Sequence, residues 1–258
     1  MAAGSITVTE TPLVRYLLRR ADDALILGHR LSEWCGHAPM MEEDMALANM
    51  GLDLIGQARS LYTYAAEVEA AGNDEDAYAY RRDVRGYGNV LLVEQPNGDF
   101  ARTMVRQFFY SAFMDPYWRA LTASSDATLS AIAAKAEKES AYHLRHSAEW
   151  VIRLGDGTEE SHRRAQEAVD HLWSFTGEMF EADAGETSLV ADGVAPDPET
   201  LRGLWRETVS KVLTEATLKL PETEWMQKGG RSGAHSEHLG HLLADLQYMQ
   251  RAFPGAAW

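Results

Sequence analysis

The sequence has only one cysteine, Cys35, among its 258 residues. A single cysteine excludes disulfides within the chain, and we expect Cys35 to be a small buried apolar side chain because no activating residues surround it. No apolar run approaches about 18 residues, which excludes an ordinary transmembrane helix. The first residues also lack the basic-then-apolar order of a signal peptide, so a cytoplasmic protein without a membrane partner is predicted.

Basic residues are scarce as well. The chain has 24 Lys and Arg against 39 Asp and Glu, for a formal net charge of −15. Nucleic-acid binding draws on clustered Lys and Arg, so the sequence argues against a nucleic-acid partner. The basic stretch at residues 228–233 is predicted to be a flexible, solvated loop, with contact to an anionic group such as a CoA phosphate as the alternative. No glycine-rich phosphate loop follows a strand-like run.

Apolar residues recur at intervals of three and four along almost the whole chain, while alternating β-type runs are missing. This pattern predicts an all-α fold, taken as one domain over residues 1–258 with a disordered tail at 1–11. The loops 183–197 and 221–234 are predicted to be the most mobile segments. The predicted helices cover residues 12–35, 42–71, 99–122, 126–154, 159–182, 198–218 and 236–253, with a short helical piece at 76–82.

The first four long helices form two predicted hairpins, joined by a long connection over residues 74–98. A ferritin-like four-helix bundle is wired with one such crossover. We therefore predict a ferritin-like bundle with additional C-terminal helices.

A di-iron centre in such a bundle needs a Glu from each of two helices and a Glu-x-x-His from each of the other two. The one Glu-x-x-His, Glu159 to His162, stands at the start of a helix, where acidic residues favour the helix dipole. Glu139 and His143 are four residues apart, a spacing that suits a hydrogen bond along one helix face. We predict no metal or catalytic site and instead a vestigial buried polar network. Its candidate members are Asp22, His29, Asn49, Asp53, Gln57, Gln107, Glu139 and His143.

Three histidines near the C-terminus, His235, His238 and His241, raise the possibility of a zinc site. Steps of three residues turn them progressively around a helix, and no fourth ligand is identified. Ser236 is better explained as the N-cap of the last helix. Adventitious metal binding by these histidines is left open.

Five segments carry a resemblance to a known family. They are residues 28–39 (GHRLSEWCGHAP), 46–59 (ALANMGLDLIGQAR), 91–101 (LLVEQPNGDFA), 138–147 (KESAYHLRHS) and 235–240 (HSEHLG). In this combination the sequence resembles the family of the C subunits of bacterial phenylacetyl-CoA epoxidases, over nearly its whole length.

The resemblance implies a ferritin-like subunit without an iron site of its own, with no cofactor, which pairs with a related catalytic A subunit that holds the di-iron centre. The complex then uses O2 and electrons from a reductase to epoxidise the ring of phenylacetyl-CoA, in phenylacetate catabolism. When isolated, the chain is expected to form a homo-oligomer. Two alternatives stay open: a stand-alone di-metal oxygenase using Asp22, Asp53, Glu139 and His143, and an all-α binding module.

Overall fold

The computed structural model describes residues 5–256, so residues 1–4 of the expected tail lie outside the described part. Among the described residues every regular element is helical and none forms a strand, which confirms the all-α prediction. The α-helices are α1 Pro12–Ser32, α2 Met41–Glu69, α3 Glu75–Tyr80, α4 Leu91–Glu94, α5 Phe100–Leu121, α6 Ala127–Gly155, α7 Glu159–Trp173, α8 Ala184–Ala191, α9 Arg202–Glu215 and α10 Glu237–Ala252.

Several helices begin at side chains that cap the free backbone N–H groups of the first turn. Thr11 accepts from the N–H of Val14 before α1, and Asp99 accepts from the N–H of Arg102 before α5. Thr158 and Ser161 form a reciprocal capping box before α7. Such caps stabilise a helix by about 1 kcal/mol each and fix where it starts.

The bundle consists of two hairpins, α1 with α2 and α5 with α6, joined by a crossover that contains α3 and α4. α2 packs against α6, while α7 and α9 cover α5. In α5, 17 of 22 residues are buried, which makes it the central helix. This order of hairpin, crossover and hairpin is that of a ferritin-like bundle. The described core is one continuous cluster of buried side chains.

Glycines set the distance between the two helices of the first hairpin. A Cβ on Gly28 of α1 would lie 3.2 Å from the carbonyl oxygen of Gly51 on α2. A Cβ on Gly51 would lie 2.9 Å from Ser32 Oγ. The two backbones therefore approach more closely than larger residues would permit, and this holds α1 and α2 in register.

Two sequence predictions fail at the ends of helices. α1 ends at Ser32, before the predicted residue 35, and Cys35 lies in the following turn, where it is exposed and not buried. The segment predicted as the loop 183–197 contains α8, which begins with Asp183 accepting from the N–H of Glu186. α8 packs on α1 and carries the buried Glu186.

The first described residues run along the crossover. The N–H of Ile6 donates to the carbonyl of Arg81 at 3.0 Å, and the N–H of Thr9 donates to Glu69 Oε1 at 2.6 Å. Separately, none of the described helices is long and apolar enough to cross a membrane.

Candidate functional site

Four of the eight polar candidates meet where α2 packs against α6. His143 Nε2 lies 3.0 Å from Asp53 Oδ2, and Gln57 Nε2 donates to Glu139 Oε2 at 2.9 Å. His143 is buried, whereas the side chain of Asp53 is 36% exposed. Glu139 also forms an ion pair with Lys135 of its own helix. Glu139 and His143 of α6 thus each bind a side chain of α2.

The other four candidates lie apart from this pair of contacts. Asn49 is exposed, and His29 is half-buried, where burial lowers its pKa. Gln107 is fully buried and donates to Ser111 Oγ one turn along α5. Asp22 is buried against the crossover. The eight candidates thus do not form one network, because helical spacing fixes the face of a side chain but not the segment that covers it.

Asp22 lies at the centre of a second, fully buried group. Arg82, from the crossover, forms an ion pair with its carboxylate. Tyr62 Oη donates to Asp22 Oδ1 at 2.5 Å, and the N–H of Gly88 donates to Oδ2 at 2.8 Å. The guanidinium of Arg82 also lies 4.3 Å from the ring centroid of Tyr87. Each oxygen of Asp22 is thus occupied by protein donors.

The neighbouring carboxylate, Asp23, is bound in the same way from a more distant segment. Arg231 donates to its two oxygens at 3.1 and 2.8 Å, and the N–H of Val90 donates to Oδ1 at 2.8 Å. The buried Arg20 lies 3.5 Å away. Arg231 belongs to the stretch that was predicted to be solvated, so that prediction is wrong for this residue. Its guanidinium is needed to neutralise a carboxylate inside the core.

Glu186 brings α8 into the same buried region. It pairs with Arg20 at 3.4 Å and with Arg19 at 3.7 Å. Arg20 in turn lies 5.0 Å from the ring centroid of Tyr117, whose hydroxyl bonds that of Tyr16 at 2.7 Å. Burial raises the pKa of Tyr117 to about 12, so the phenol stays neutral.

Glu178 joins three chain segments through backbone N–H groups. It accepts from the N–H of Leu91 at 2.9 Å and from that of Gly229 at 2.7 Å. Leu91 starts α4, Gly229 lies in the segment 221–234, and Glu178 follows α7. Glu178 thus links α4 and the segment 221–234 to the turn after α7.

Glu94 and His235 form a further buried pair. His235 Nδ1 lies 2.8 Å from Glu94 Oε2, and its Nε2 lies 2.9 Å from the carbonyl oxygen of Tyr87. Burial by itself lowers the pKa of His235, but these two hydrogen bonds and the Glu94 charge raise it overall. Both partners are acceptors, so the geometry favours the protonated imidazole, which donates from both ring nitrogens. His235 is therefore engaged by protein groups and is not a free zinc ligand.

The sequence carries one signal for this network that spacing arguments overlooked. Arg19, Arg20, Asp22 and Asp23 are four charges of both signs within five residues of a helix in which almost all other residues from 13 to 27 are apolar. Charges that are buried with such a helix require partners. The partners themselves are far away in sequence and could not be identified by spacing.

The donor set does not fit the di-iron centre of ferritin-like proteins. Such a centre needs several carboxylates and two histidines with free lone pairs. Here Asp22 and Asp23 face arginines, Glu139 faces an amide and a lysine, and His143 faces Asp53. Within residues 5–256, no group of three or more His, Cys, Asp or Glu side chains is arranged to hold a metal ion.

Comparison with known proteins decides the family. The family model described as "Phenylacetic acid catabolic protein" matches residues 2–258. This chain belongs to that family. Among known proteins, the C subunit of the 1,2-phenylacetyl-CoA epoxidase of Escherichia coli (strain K12) is 50% identical over 246 residues, which cover 95% of this chain and 99% of that protein. The resemblance seen in the five sequence segments is thus confirmed. The all-α bundle described above is consistent with this family.

Proposed function

We propose that this chain is a structural, non-catalytic subunit of a phenylacetyl-CoA epoxidase, which pairs with a catalytic subunit that holds the di-iron centre. The observation that carries the proposal is the occupation of the inward carboxylates by arginines, combined with 50% identity to the C subunit of such an enzyme. A carboxylate neutralised by a guanidinium is a poor ligand for a cation, because the arginine would have to be displaced from a buried site. In this proposal the buried carboxylates serve the stability of the fold.

A subunit without chemistry of its own acts through a surface, and α2 exposes a line of large apolar side chains. Met41, Met45 and Leu52 are 76%, 62% and 67% exposed and follow one line of α2. Tyr142 of α6 is 38% exposed and packs on the ring of His146, which binds Glu43 of α2. Grouped apolar side chains on a surface mark sites of protein association.

We propose that this line of α2, together with Tyr142, contacts the catalytic subunit. Long, flexible Met side chains adapt to a partner surface, and an aromatic such as Tyr142 is typical of interface centres. The net charge of −15 favours a partner with a basic surface, so association should slow as salt is raised.

The test is association with the catalytic subunit, measured by size-exclusion chromatography with light scattering on the isolated chain and on the mixture. We expect self-association alone and a mixed complex in the presence of the partner. Leu52→Asp should weaken the mixed complex by about tenfold or more, since a charge would be buried without a partner. Leu204→Asp, at an exposed leucine of α9, is the matched control and should have no effect. The proposal is contradicted by a chain that stays monomeric and does not bind the catalytic subunit.

A further inference from the structure

One side of the last helix, α10, is exposed along its length. The other side packs on the crossover, against α3 and the short 3₁₀ turn Val84–Gly86. The buried residues of α10 all lie on this inner side and are Leu239, Leu242, Leu243 and Gln247. At 100° per residue, the residues that share the opposite side include Glu237, His241, Ala244 and Tyr248. All four of these are exposed.

The exposed side of α10 combines a large aromatic side chain with two very small residues. Tyr248 is 62% exposed. One turn before it lies Ala244, and one turn earlier still lies Gly240. Beyond its chain neighbours and the backbone of its own helix, no described atom lies within 4 Å of a Cβ built on Gly240. These three residues and Val84 contribute to a groove of about 470 Å³, which has room for an aromatic side chain.

The part of the groove around Gly240 has the form of the hole that receives a side chain when two helices pair. Such a hole is made by four residues of the facing helix, at positions i, i+3, i+4 and i+7. The residues of α10 with this spacing are Glu237, Gly240, His241 and Ala244. The small glycine and alanine make the hole deep. Tyr248 follows the hole on the same helix, so the side chain that fills the hole must come from another chain.

The exposed side of α10 is complementary to itself in shape. When two copies of α10 lie antiparallel with Ala244 at the twofold axis, residues at equal distances from Ala244 face each other. Tyr248 and Gly240 are each four residues from Ala244, so the ring of one copy lies over the glycine of the other. A twofold pair makes every contact twice, and both holes are therefore filled. A parallel pair would set Tyr248 beside Tyr248 and leave both holes empty.

The charges on this side are complementary in the same arrangement. Glu237 and Arg251 are each seven residues from Ala244, so the carboxylate of one copy faces the guanidinium of the other. Glu237 is exposed, and the side chain of Arg251 is 30% exposed while it binds Asp83 at 3.2 Å. The antiparallel direction also brings the positive end of one helix dipole beside the negative end of the other. Exposed ion pairs add little affinity, so these charges favour the direction of pairing more than its strength.

We propose that two copies of this chain associate through α10, antiparallel and centred on Ala244, with Tyr248 of each copy in the hole of the other. α10 has 16 residues and is about 24 Å long. A contact along one helix of this length buries less area than a standard stable interface of about 1,600 Å². A weak dimer follows, with a Kd on the order of 10 μM. The inference does not rest on the proposed function, because the catalytic subunit takes no part in this contact.

The test is sedimentation equilibrium of the full chain at concentrations from about 1 to 100 μM. At about 0.15 M salt the repulsion between two chains of net charge −15 is largely screened. Tyr248→Ala removes the aromatic side chain and Gly240→Gln fills the hole, and each should weaken the dimer by about tenfold or more. Gly203→Gln in α9 is the matched control, because Gly203 is also exposed with open space around it, and it should leave the dimer unchanged. Thermal melting of the three variants verifies that each is folded.

A mixture of the two weakened variants tests the pairing of Tyr248 with Gly240 itself. In a mixed dimer, Tyr248 of the Gly240→Gln copy enters the intact hole of the Tyr248→Ala copy, and the filled hole faces only a methyl group. The mixture should therefore dimerise about tenfold more tightly than either variant alone. The proposal is overturned by a native chain that stays monomeric, which would leave α10 to a different partner. A dimer that neither variant weakens, or a mixture no tighter than its components, overturns it as well.

Discussion

At the residue scale, the polar side chains of the bundle differ in how much stability depends on them. Asp22 is fully buried and holds Arg82, Tyr62 and the N–H of Gly88. Among the described residues Asp53 binds only His143, and its side chain is partly solvated. Loss of one partner from a buried ion pair costs far more than loss of a partly exposed hydrogen bond.

We therefore expect Asp22→Ala to lower the free energy of unfolding by about 3–5 kcal/mol, since it leaves the Arg82 charge buried and unpaired. Asp53→Ala should cost about 1 kcal/mol and leave epoxidase turnover per folded molecule unchanged. Urea denaturation of both variants, beside Asp245→Ala on the exposed face of α10, measures the ranking. Unaltered stability together with lost turnover in Asp53→Ala would instead favour the stand-alone oxygenase.

The charged state of His235 makes stability depend on pH. The pKa of His235 is higher in the folded chain than in the unfolded one, so its contribution is complete below the unfolded value of about 6.5 and is lost as pH rises through the folded value. The free energy of unfolding of the native chain should therefore approach that of His235→Gln as pH increases. His241→Gln, at an exposed histidine, serves as the control. A difference between native and His235→Gln that stays constant with pH would rule out the charged pair.

At the scale of elements, close contacts between helices decide which glycines are required. A Cβ on Gly155, the last residue of α6, would lie 2.2 Å from the carbonyl oxygen of Ala216, just after α9. Beyond its chain neighbours and the backbone of its own helix, no described atom lies within 4 Å of such a Cβ on Gly240 in α10. The two glycines occupy helical positions with opposite surroundings.

Gly155→Ala should lower the free energy of unfolding by about 1–3 kcal/mol or more, because backbone atoms must move to admit the methyl group. Gly240→Ala should raise it by about 0.5–1 kcal/mol through helix propensity alone. Thermal or urea unfolding of the two variants gives the comparison directly. Equal shifts of the same sign would show that α6 and α9 do not meet as described.

Helices could be predicted from the sequence where a capping residue precedes a long stretch with apolar residues at helical spacing. Thr11, Asp99 and Thr158 cap helices whose predicted first residues lie within a residue or two of the observed ones. α8 was missed because eight residues are too few for a periodic signal, although Asp183 and Glu186 have the spacing of a helix start. Short helices of this kind are held by tertiary contacts, here the pairing of Glu186 with arginines of α1.

The candidate site was less predictable for a physical reason. Facing residues of α2 and α6, such as Asp53 with His143, follow from helical spacing once a bundle is assumed. The arginine partners do not, because Arg231 and Asp23 are 208 positions apart and Arg82 and Asp22 are 60 apart. Only the folded chain brings such residues together. The exposure of Asn49 and Cys35 has the same origin, since burial depends on which segment lies above each helix.

At the scale of the whole molecule, the fold of an iron-binding bundle is retained, while its inward carboxylates are bound by the chain's own cations. Because arginines from the crossover and the C-terminal segment supply those cations, the elements beyond the four-helix bundle are part of what stabilises it. This organisation is the one that the proposed role as a structural subunit requires.

The central claim is tested most directly by turnover of phenylacetyl-CoA in a reconstituted system. An iron-loaded catalytic subunit with its reductase is assayed for ring oxidation while this chain, stripped of metal by a chelator, is titrated in. If the chain is a structural subunit, it gives no product alone and retains no stoichiometric iron. The rate then rises to a plateau as the chain saturates the catalytic subunit. The proposed role is contradicted if this chain forms product alone with two bound iron atoms. It is also contradicted if the rate does not change when the chain is added.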